Sequence, residues 1–338
     1  MIERLNRRIV LVERPVGVPE PRHFRRDDEP VAALRDRDFL VRNLYLSIDP
    51  AQRGWVQAGA RNYSNPVQIG EVMRSLAVGI VESSRHPDMA VGEHLYGWFG
   101  WQDYCVATEA SVLRRVDPRQ GPVSAAAGVL GLTGITAYLA LTELGRPAAG
   151  ETVLVSTAAG AVGSIVGQIA RRLRCRAIGL TGSDDKVEQC VTEFGYDLAV
   201  NYRTGLDEDT LRSACPRGVD VFFDNTSGVI ADAVFPLMND RGRIVQCGTV
   251  AEPVWDPPPA GPRRDRAILV KRLRHEGFII FDHVSRFSEV AARLAEWMRD
   301  GSLVYREDIE AGLDRAPIAL AELYRGSNAG KKLIQLGA

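Results

Sequence analysis

The chain has 338 residues, of which 45% are hydrophobic and 25% are charged. At roughly 150 residues per domain this length predicts about two domains, and the composition is typical of a globular protein rather than a fibrous or disordered one. The formal net charge is −1, so no strong basic field is available to bind nucleic acid or an anionic membrane.

The first third of the chain, up to about residue 115, contains short β-type runs separated by Gly, Pro and Asn. These runs are RRIVLV, DFLVRNLYLS, SLAVGIVESS, EHLYGW and QDYCVA. Short strands at this density are typical of a barrel-like or sandwich domain.

From about residue 124 the composition becomes helical, and apolar strands then alternate with amphipathic helices. The strands are predicted at 152–156, 176–180, 197–202, 219–225, 242–248 and 277–281, and a helix at 288–301. This alternation predicts an α/β fold with a doubly wound parallel sheet. We predict one domain over residues 1–123, completed by residues 305–338, and a second domain over residues 124–304.

The five cysteines are widely spaced and include no C-x-x-C pair. That pattern is typical of reduced thiols in a cytoplasmic protein. The N-terminal segment lacks the apolar core of a signal peptide, and the most apolar stretch, residues 128–144, is shorter than the roughly 20 residues that span a bilayer. We therefore expect a cytoplasmic protein with no membrane contact.

A glycine turn follows the first strand of the predicted sheet and leads directly into a helix. The turn is TAAGAVG, residues 157–163. This arrangement presents backbone N–H groups and a helix dipole to a pyrophosphate. Gly160 and Gly163 allow close approach, and Gly167 permits packing of the helix on the sheet. Because Ala158 replaces the first glycine of G-x-G-x-x-G, the context carries this prediction, and an ordinary glycine-rich turn is the alternative.

The end of the second strand indicates which dinucleotide binds. An NAD site usually places Asp or Glu there to hold the adenosine ribose. Here the strand ends in the small neutral residues 181–183, and Lys186 lies one turn into the next helix. This pattern favours NADPH, with Lys186 at its extra phosphate and Arg203 as a second candidate. The alternative is that Ser183 is only an N-cap and Lys186 is solvated.

A set of longer motifs covers most of the chain. They are NLYLSIDP (43–50), YSNPVQIGEVM (63–73), GWQDY (100–104), GVLGLTGITAYLAL (128–141), GETVLVSTAAGAVGSIVGQIA (150–170), FFDNTSG (222–228), IVQCGTV (244–250), RHEGFIIFDH (274–283) and GSNAGKK (326–332). In this order they resemble the zinc-independent branch of the medium-chain dehydrogenase/reductase superfamily, and within it the NADPH-dependent alkenal/one reductases. The resemblance implies a GroES-like β-barrel-type domain, a Rossmann domain, an active-site cleft at their junction and a homodimer.

The resemblance also implies which residues bind the cofactor. They are Gly160, Ala161 and Val162 at the pyrophosphate, Lys186 and Tyr202 at the 2′-phosphate end, and Asn225, Cys247, Gly248, Phe278 and Asn328 on the nicotinamide side. The glycine turn and the neutral strand end add Gly163 and Ser183 to the predicted cofactor-binding residues. Two of these have simpler alternatives: Asn225 as a residue of a strand-end turn, and Cys247 as a small buried apolar residue.

The Cys and His ligand sets of the zinc-containing relatives are missing from the sequence. Gly92-Glu93-His94 reverses a G-H-E ligand motif, and we interpret His94 as a surface or turn histidine. We therefore expect no metal. Alcohol oxidation would then lack a Lewis acid to stabilise the alkoxide, whereas reduction of an activated C=C bond needs none.

In that reduction a hydride reaches the β-carbon of an enal or enone, and the protein must supply a hydrogen-bond donor at the carbonyl oxygen. Tyr63 matches a loop tyrosine of the resembling reductases that is thought to donate to this oxygen or to protonate the α-carbon. A phenol with a pKa of about 10 stays protonated at neutral pH. The alternatives are that Tyr63 is a surface aromatic, or that the ribose hydroxyl of the cofactor shares the role.

Several positions depart from the family pattern. Ala51, Leu76 and Val270 replace tyrosines of some relatives, which predicts a roomier and less polar pocket. Trp55, Trp98 and Trp101 either line an apolar cleft or pack in the core. We predict NADPH-dependent reduction of the C=C bond of small apolar α,β-unsaturated aldehydes and ketones. The alternatives are an NADPH quinone oxidoreductase and a non-catalytic NADPH-binding protein.

Overall fold

The computed structural model describes residues 4–57, 63–252 and 257–337. Its contacts divide the chain into two compact units. The first unit comprises Met1–Gly131, Ser285–Arg299 and Arg306–Ala338, and the second comprises Leu132–Val284 and Asp300–Tyr305. No helix in the described ranges is both long and apolar enough to cross a membrane.

The strands are named in chain order. They are β1 (Leu5–Leu11), β2 (Phe24–Pro30), β3 (Phe39–Ser47), β4 (Leu76–Ser84), β5 (His94–Trp98), β6 (Tyr104–Ala107), β7 (Val112–Val116), β8 (Thr152–Ser156), β9 (Arg176–Thr181), β10 (Leu198–Asn201), β11 (Val219–Asp224), β12 (Met238–Gln246), β13 (Arg274–Gly277), β14 (Glu307–Ala311) and β15 (Lys331–Gln335).

The α-helices are α1 (Ala51–Val56), α2 (Leu132–Leu139), α3 (Gly163–Arg172), α4 (Asp184–Thr192), α5 (Glu208–Ala214), α6 (Gly228–Val234), α7 (Asp265–Lys271), α8 (Phe287–Arg299) and α9 (Ala316–Arg325). Short 3₁₀ turns and a π-helical segment, Ala140–Gly145, lie between them.

The first unit is built on a mixed, mainly antiparallel sheet. The strand order is β14-β15-β3-β4-β5-β7, and β6 pairs with β3. The C-terminal strand β15 pairs antiparallel with β3, so the end of the chain completes the sheet of the N-terminal segment. Strands β1 and β2 form a separate antiparallel pair.

The second unit is built on a parallel sheet in the order β10-β9-β8-β11-β12-β13. In order of appearance along the chain this is 3-2-1-4-5-6, the strand order of a dinucleotide-binding Rossmann domain. Every residue of the central strand β8 is buried, because helices cover both faces of a parallel sheet. The predicted fold class, a β-barrel-type domain plus a doubly wound parallel-sheet domain, is confirmed.

The last strand of the parallel sheet differs from the prediction. We predicted a strand over 277–281, but β13 covers Arg274–Gly277, and Ile280–Arg286 is 3₁₀-helical. As an edge strand β13 has a single neighbour, β12, and its residues are largely exposed and polar. The apolar run that follows is buried instead at Phe278 and Ile280. In this segment the apolar residues therefore mark the buried stretch that follows the strand rather than the strand itself.

Candidate active site

The glycine turn after β8 brings the start of α3 close to the strand end. A Cβ added at Gly163 would lie 2.3 Å from the Thr157 carbonyl oxygen, and one at Gly160 would lie 3.0 Å from the same oxygen. Gly179 of the neighbouring strand β9 also lies close to the turn, since a Cβ added there would lie 2.7 Å from the Cβ of Ala158. The turn is therefore compact enough that side chains at these glycine positions would not fit.

The turn also offers unused donors. Among the described residues, the amide N–H groups of Ala161, Val162 and Gly163 have no hydrogen-bond acceptor. They lie at the N-terminal end of α3, where the helix dipole is positive. Adjacent N–H groups with this orientation form the usual binding site for a phosphate.

The glycine turn is also bonded to a buried tyrosine, Tyr196, which was not predicted from the sequence. The Tyr196 hydroxyl donates to the Gly163 carbonyl at 2.6 Å. A Cβ added at Gly167 would lie 2.2 Å from the Tyr196 ring. Because Gly167 has no side chain, an aromatic ring from the segment before β10 can pack directly against α3. The role predicted for Gly167 was close packing of this helix.

Small and cationic residues meet at the ends of β9 and β10. The Ser183 hydroxyl caps α4 by accepting the Lys186 amide at 3.4 Å. A Cβ at Gly182 would lie 2.8 Å from the Tyr202 hydroxyl, so Tyr202 covers that glycine. Ser183 and Lys186 are therefore joined at the start of α4, and Tyr202 lies over the adjoining Gly182. Their role at the phosphate end of the cofactor stays a prediction.

The charges at this corner repel one another. Burial lowers the pKa of the Lys186 ammonium, the positive charge of Arg203 lowers it further, and the Cys190 thiol acts in the opposite direction. Like charges held close together are costly unless an anion joins them. Lys186 and Arg203 therefore suit a doubly charged phosphate.

A hydrogen-bonded network anchored on Asp224 occupies the carboxyl ends of β8, β11 and β12. The Asp224 side chain is fully buried. Its Oδ1 accepts from the Ser156 hydroxyl and from Thr226, and its Oδ2 accepts from the Gln246 side chain. This network was not predicted from the sequence, although an Asp at the end of an apolar strand, as in VDVFFD, is a signal for it.

The network fixes the candidate residues of the nicotinamide side that belong to the second unit. The Asn225 side-chain amide donates to the Ser156 carbonyl at 2.8 Å. The amides of Cys247 and Gly248 both donate to the Asp224 carbonyl. A Cβ at Gly248 would lie 2.7 Å from the Asn225 carbonyl oxygen, so this turn requires glycine.

The Cys247 thiol is not set up as a nucleophile. Burial, with a smaller contribution from the negative charge of Asp224, raises its pKa to about 12. A thiol with so high a pKa stays protonated and unreactive at neutral pH. Cys247 is therefore suited to shaping the turn rather than to covalent chemistry.

Two non-glycine residues near these strand ends have positive φ. Thr157 follows β8 with φ +50, and Ser227 follows β11 with φ +62. At Ser227 the accompanying ψ is −158, a combination that is strained for any residue with a side chain. Strain of this kind persists only where the surrounding contacts enforce it, and here the Ser227 amide is held by Asp224 at 2.9 Å.

Phe278 follows β13 and is nearly fully buried. Its amide donates to the Gln246 carbonyl, and its ring stacks on His283 with centroids 5.0 Å apart. Gln246 also meets the His275 ring through its side-chain oxygen at 3.0 Å. Burial and the nearby Arg264 lower the pKa of His275, so this histidine is neutral at neutral pH.

In the first unit, Tyr63 lies beside Trp55. The indole N–H of Trp55 donates to the Tyr63 hydroxyl at 3.2 Å. Burial raises the pKa of Tyr63, while the bond from Trp55 lowers it. Because Tyr63 is 49% exposed, its ring is reachable from solvent, and its phenol is protonated at neutral pH.

The remaining predicted positions occupy varied environments. Asn328 is half-buried, and its side chain donates to the Gly330 carbonyl at 2.7 Å. Leu76 is fully buried and Val270 is half-exposed. Trp55 and Trp101 are both almost fully buried, so these two indoles pack in the core of the first unit.

His94 starts strand β5, and burial together with Arg42 lowers its pKa. Its neighbour Glu93 pairs with Arg115. Within residues 4–57, 63–252 and 257–337, no group of three or more His, Cys, Asp or Glu side chains is placed to hold a metal ion.

Both halves of the chain match known protein families. Residues 7–115 match a family described as the N-terminal domain of oxidoreductase, and residues 161–296 match one described as zinc-binding dehydrogenase. The chain is 38% identical to NADPH-dependent curcumin reductase of Escherichia coli (strain K12), over 98% of this chain and 97% of that protein. It is 35% identical to the NADP(+)-dependent 2-alkenal reductase of Nicotiana tabacum, over 88% and 87%.

A solved structure agrees with this result. CurA from Vibrio vulnificus, determined in complex with NADPH, is 37% identical and superimposes with a TM-score of 0.92, covering 98% of this chain and 99% of that one. The parallel sheet and its glycine turn define a dinucleotide-binding oxidoreductase. More narrowly, the chain belongs to the medium-chain dehydrogenase/reductase superfamily, in the group that contains the curcumin and alkenal reductases. The family assignment made from the motifs is confirmed.

Proposed function

We propose that this protein is an NADPH-dependent reductase of the C=C bond of α,β-unsaturated aldehydes and ketones. The observation that carries the proposal is the match over nearly the whole chain to relatives named for curcumin and 2-alkenal reduction. The names of these relatives supply the substrate class, and the residues of this chain supply the chemistry.

The site suits NADPH at two points. The three unused N–H groups at the start of α3 suit its pyrophosphate. The close cations Lys186 and Arg203, beside the Tyr202 hydroxyl, suit its 2′-phosphate. When bound, this cofactor supplies the hydride that adds to the β-carbon of the substrate.

We assign the nicotinamide side to Asn225, Cys247, Gly248 and Phe278 of the second unit. For Asn328 of the first unit this role stays a prediction from the resemblance. The support is the shared anchoring of Asn225, Cys247 and Gly248 through Asp224 and Ser156. Residues held by buried hydrogen bonds keep their geometry through turnover, which catalysis by positioning requires.

Tyr63 is the proposed donor to the substrate. Its phenol is protonated at neutral pH, its hydroxyl already accepts one hydrogen bond, and half of the side chain is exposed. Such a group donates to a developing enolate oxygen or protonates the α-carbon. Positions 51, 76 and 270 hold Ala, Leu and Val. We therefore propose a substrate pocket that is roomier and less polar than in relatives with tyrosines at these positions.

The assembly, location and domain roles complete the proposal. We propose a cytoplasmic homodimer in which residues 1–123 and 305–338 form the substrate domain and residues 124–304 the cofactor domain. The edge strand β13 and the exposed Leu269 of α7 support a subunit contact on the cofactor domain. Light scattering of the purified protein tests the dimer.

The activity is tested by following the loss of reduced-nicotinamide absorbance with NADPH and with NADH across enals, enones and quinones. We expect turnover of enals and enones, with NADPH strongly preferred. Rapid turnover of quinones without turnover of enones would replace this proposal with a quinone reductase. Tight NADPH binding with no acceptor at all would make the protein a non-catalytic binder.

A further inference from the structure

The indole of Trp55 and the phenol of Tyr63 form a directed hydrogen bond. An indole N–H can only donate, so the Tyr63 oxygen is the acceptor at 3.2 Å. The phenolic proton of Tyr63 must then point away from the indole. The bond thus selects one orientation of the Tyr63 hydroxyl.

Trp55 is itself held firmly. Its side chain is 1% exposed, and its ring packs edge-on against Trp98 with centroids 5.4 Å apart. The Trp55 carbonyl accepts the Val67 amide at 2.8 Å, so the segment that carries Tyr63 is fastened to α1 at two points. A buried, packed indole has no room to change rotamer.

We propose that Trp55 is a positioning residue for the reduction, which orients the Tyr63 hydroxyl and stabilises the oxygen as it loses its proton. This inference rests on the proposed function, because it assumes that Tyr63 serves as the proton donor. A hydrogen bond to an oxygen becomes stronger as that oxygen acquires negative charge. The bond from Trp55 therefore lowers the barrier to proton release from Tyr63.

Several charged groups also act on the Tyr63 phenol. The carboxylate of Asp49 opposes its ionisation, and the guanidinium of Arg74 favours it. The charge that Tyr63 carries when ionised raises the pKa of Tyr324, and the Arg53 guanidinium lies over the Tyr324 ring at 4.8 Å. The Trp55 contact differs from these longer-range influences because it is a hydrogen bond made directly to the reacting oxygen.

Hydride addition to the β-carbon leaves an enolate on the substrate. Tyr63 gives its phenolic proton to the α-carbon, which forms the new C–H bond and leaves a phenolate. The Trp55 N–H stays bonded to that phenolate until water returns a proton to it.

The first test measures the contact without measuring activity. 3,5-Difluorotyrosine is placed at position 63, where its phenol ionises near neutral pH, and its titration is followed by ¹⁹F NMR. We expect Trp55→Phe, which keeps an aromatic ring but removes the N–H, to raise the pKa of this phenol. The matched control is Trp101→Phe, because Trp101 is a buried indole of the same unit whose N–H has no partner among the described residues. An unchanged pKa in Trp55→Phe would overturn the inference.

The second test uses kinetics on the natural chain. Trp55→Phe is expected to lower kcat for enones about three- to tenfold, the worth of one hydrogen bond, with the KM for NADPH unchanged. In a Tyr63→Phe background the same change is expected to have no further effect. If Tyr63→Phe alone leaves kcat unchanged, the donor of the proposed function fails and this inference fails with it. If Tyr63→Phe is impaired but Trp55→Phe is not, only the role of Trp55 is lost.

Discussion

Ser156 and Asp224 lie at the carboxyl ends of the neighbouring parallel strands β8 and β11, and the Ser156 hydroxyl donates to the Asp224 carboxylate at 3.1 Å. Both side chains are fully buried. From this pair, bonds extend to Asn225 and to the Gln246 side chain. One buried carboxylate therefore sets the geometry of the turns that follow two strands.

Asp224→Asn is expected to destabilise the protein. The carboxylate accepts hydrogen bonds on both oxygens, whereas an asparagine must turn an NH₂ group toward one of those donors. A buried donor facing another donor costs about 2 kcal/mol in the free energy of unfolding, measurable by urea titration. Asp240→Asn is the control, since Asp240 makes an exposed ion pair with Arg272, and its loss should cost at most about 1 kcal/mol. Equal effects of the two changes would contradict the anchoring role.

Lys186→Ala is expected to raise the KM for NADPH about ten- to a hundredfold while leaving the KM for NADH nearly unchanged. The reason is that a charged hydrogen bond to the 2′-phosphate, worth about 1.5–3 kcal/mol, exists only with NADPH. Steady-state kinetics with both cofactors measures the difference. Lys271→Ala is the control, because Lys271 donates to the carbonyls of Pro236 and Met238 at the opposite ends of the strands. A similar rise for both cofactors would remove the phosphate role of Lys186.

Gly167→Ala is expected to lower stability, although alanine in an open helix position stabilises by about 1 kcal/mol relative to glycine. The added methyl would lie 2.2 Å from the buried Tyr196 ring. Forcing that ring aside costs about 1–3 kcal/mol and disturbs its bond to Gly163. Thermal unfolding measures the change. At Gly261 an added methyl would meet only the Asp232 carboxylate, 3.5 Å away, so Gly261→Ala should change little. A stabilised Gly167→Ala variant would refute the close packing.

Glu307 is expected to make the stability of the protein fall as the pH rises. Burial raises the pKa of its carboxyl above the unfolded value of about 4.5, against the opposing effects of the Ser124 hydroxyl and Lys331. Since the folded-state pKa is the higher one, its contribution to stability is present below about pH 4.5 and is lost as the pH rises through the folded pKa. Glu307→Gln should therefore gain stability relative to the natural chain between about pH 4 and pH 7, as urea midpoints measure.

Glu289 provides the opposite case. Its carboxyl bonds to Arg286, and this contact lowers its pKa. Glu289→Gln should lose stability relative to the natural chain over the same rise in pH, by a small amount because the pair is exposed.

A flat pH profile of the difference between Glu307→Gln and the natural chain would show that the Glu307 carboxyl is not desolvated.

Much of the candidate site could be predicted because its signals are local. The glycine turn 157–163 and the spacing from Ser183 to Lys186 occupy a few consecutive residues. The strands and helices around them impose periods of two and 3.6 residues on the apolar positions. Close approach at Gly163 follows from the same local geometry.

Other features were hidden because they join distant segments. Tyr196 lies 33 residues from Gly163, and Ser156 lies 68 residues from Asp224. Nothing in the local pattern says which residues of different strands will face each other. The same reason explains the misplaced strand at 277–281, where Phe278 and Ile280 are buried although the pairing of β13 with β12 ends at Gly277.

The order of the elements, the glycine turn after β8 and the family could be read from the sequence alone, since each depends on residues that are near neighbours along the chain. Only the tertiary structure decided that a buried Asp224 anchors the strand ends, that Tyr196 fills the space above Gly167, and that Trp55 donates to Tyr63. The physical reason is that hydrogen bonds and close packing depend on distances in space, which the folding of the backbone sets and which local periodicity does not encode.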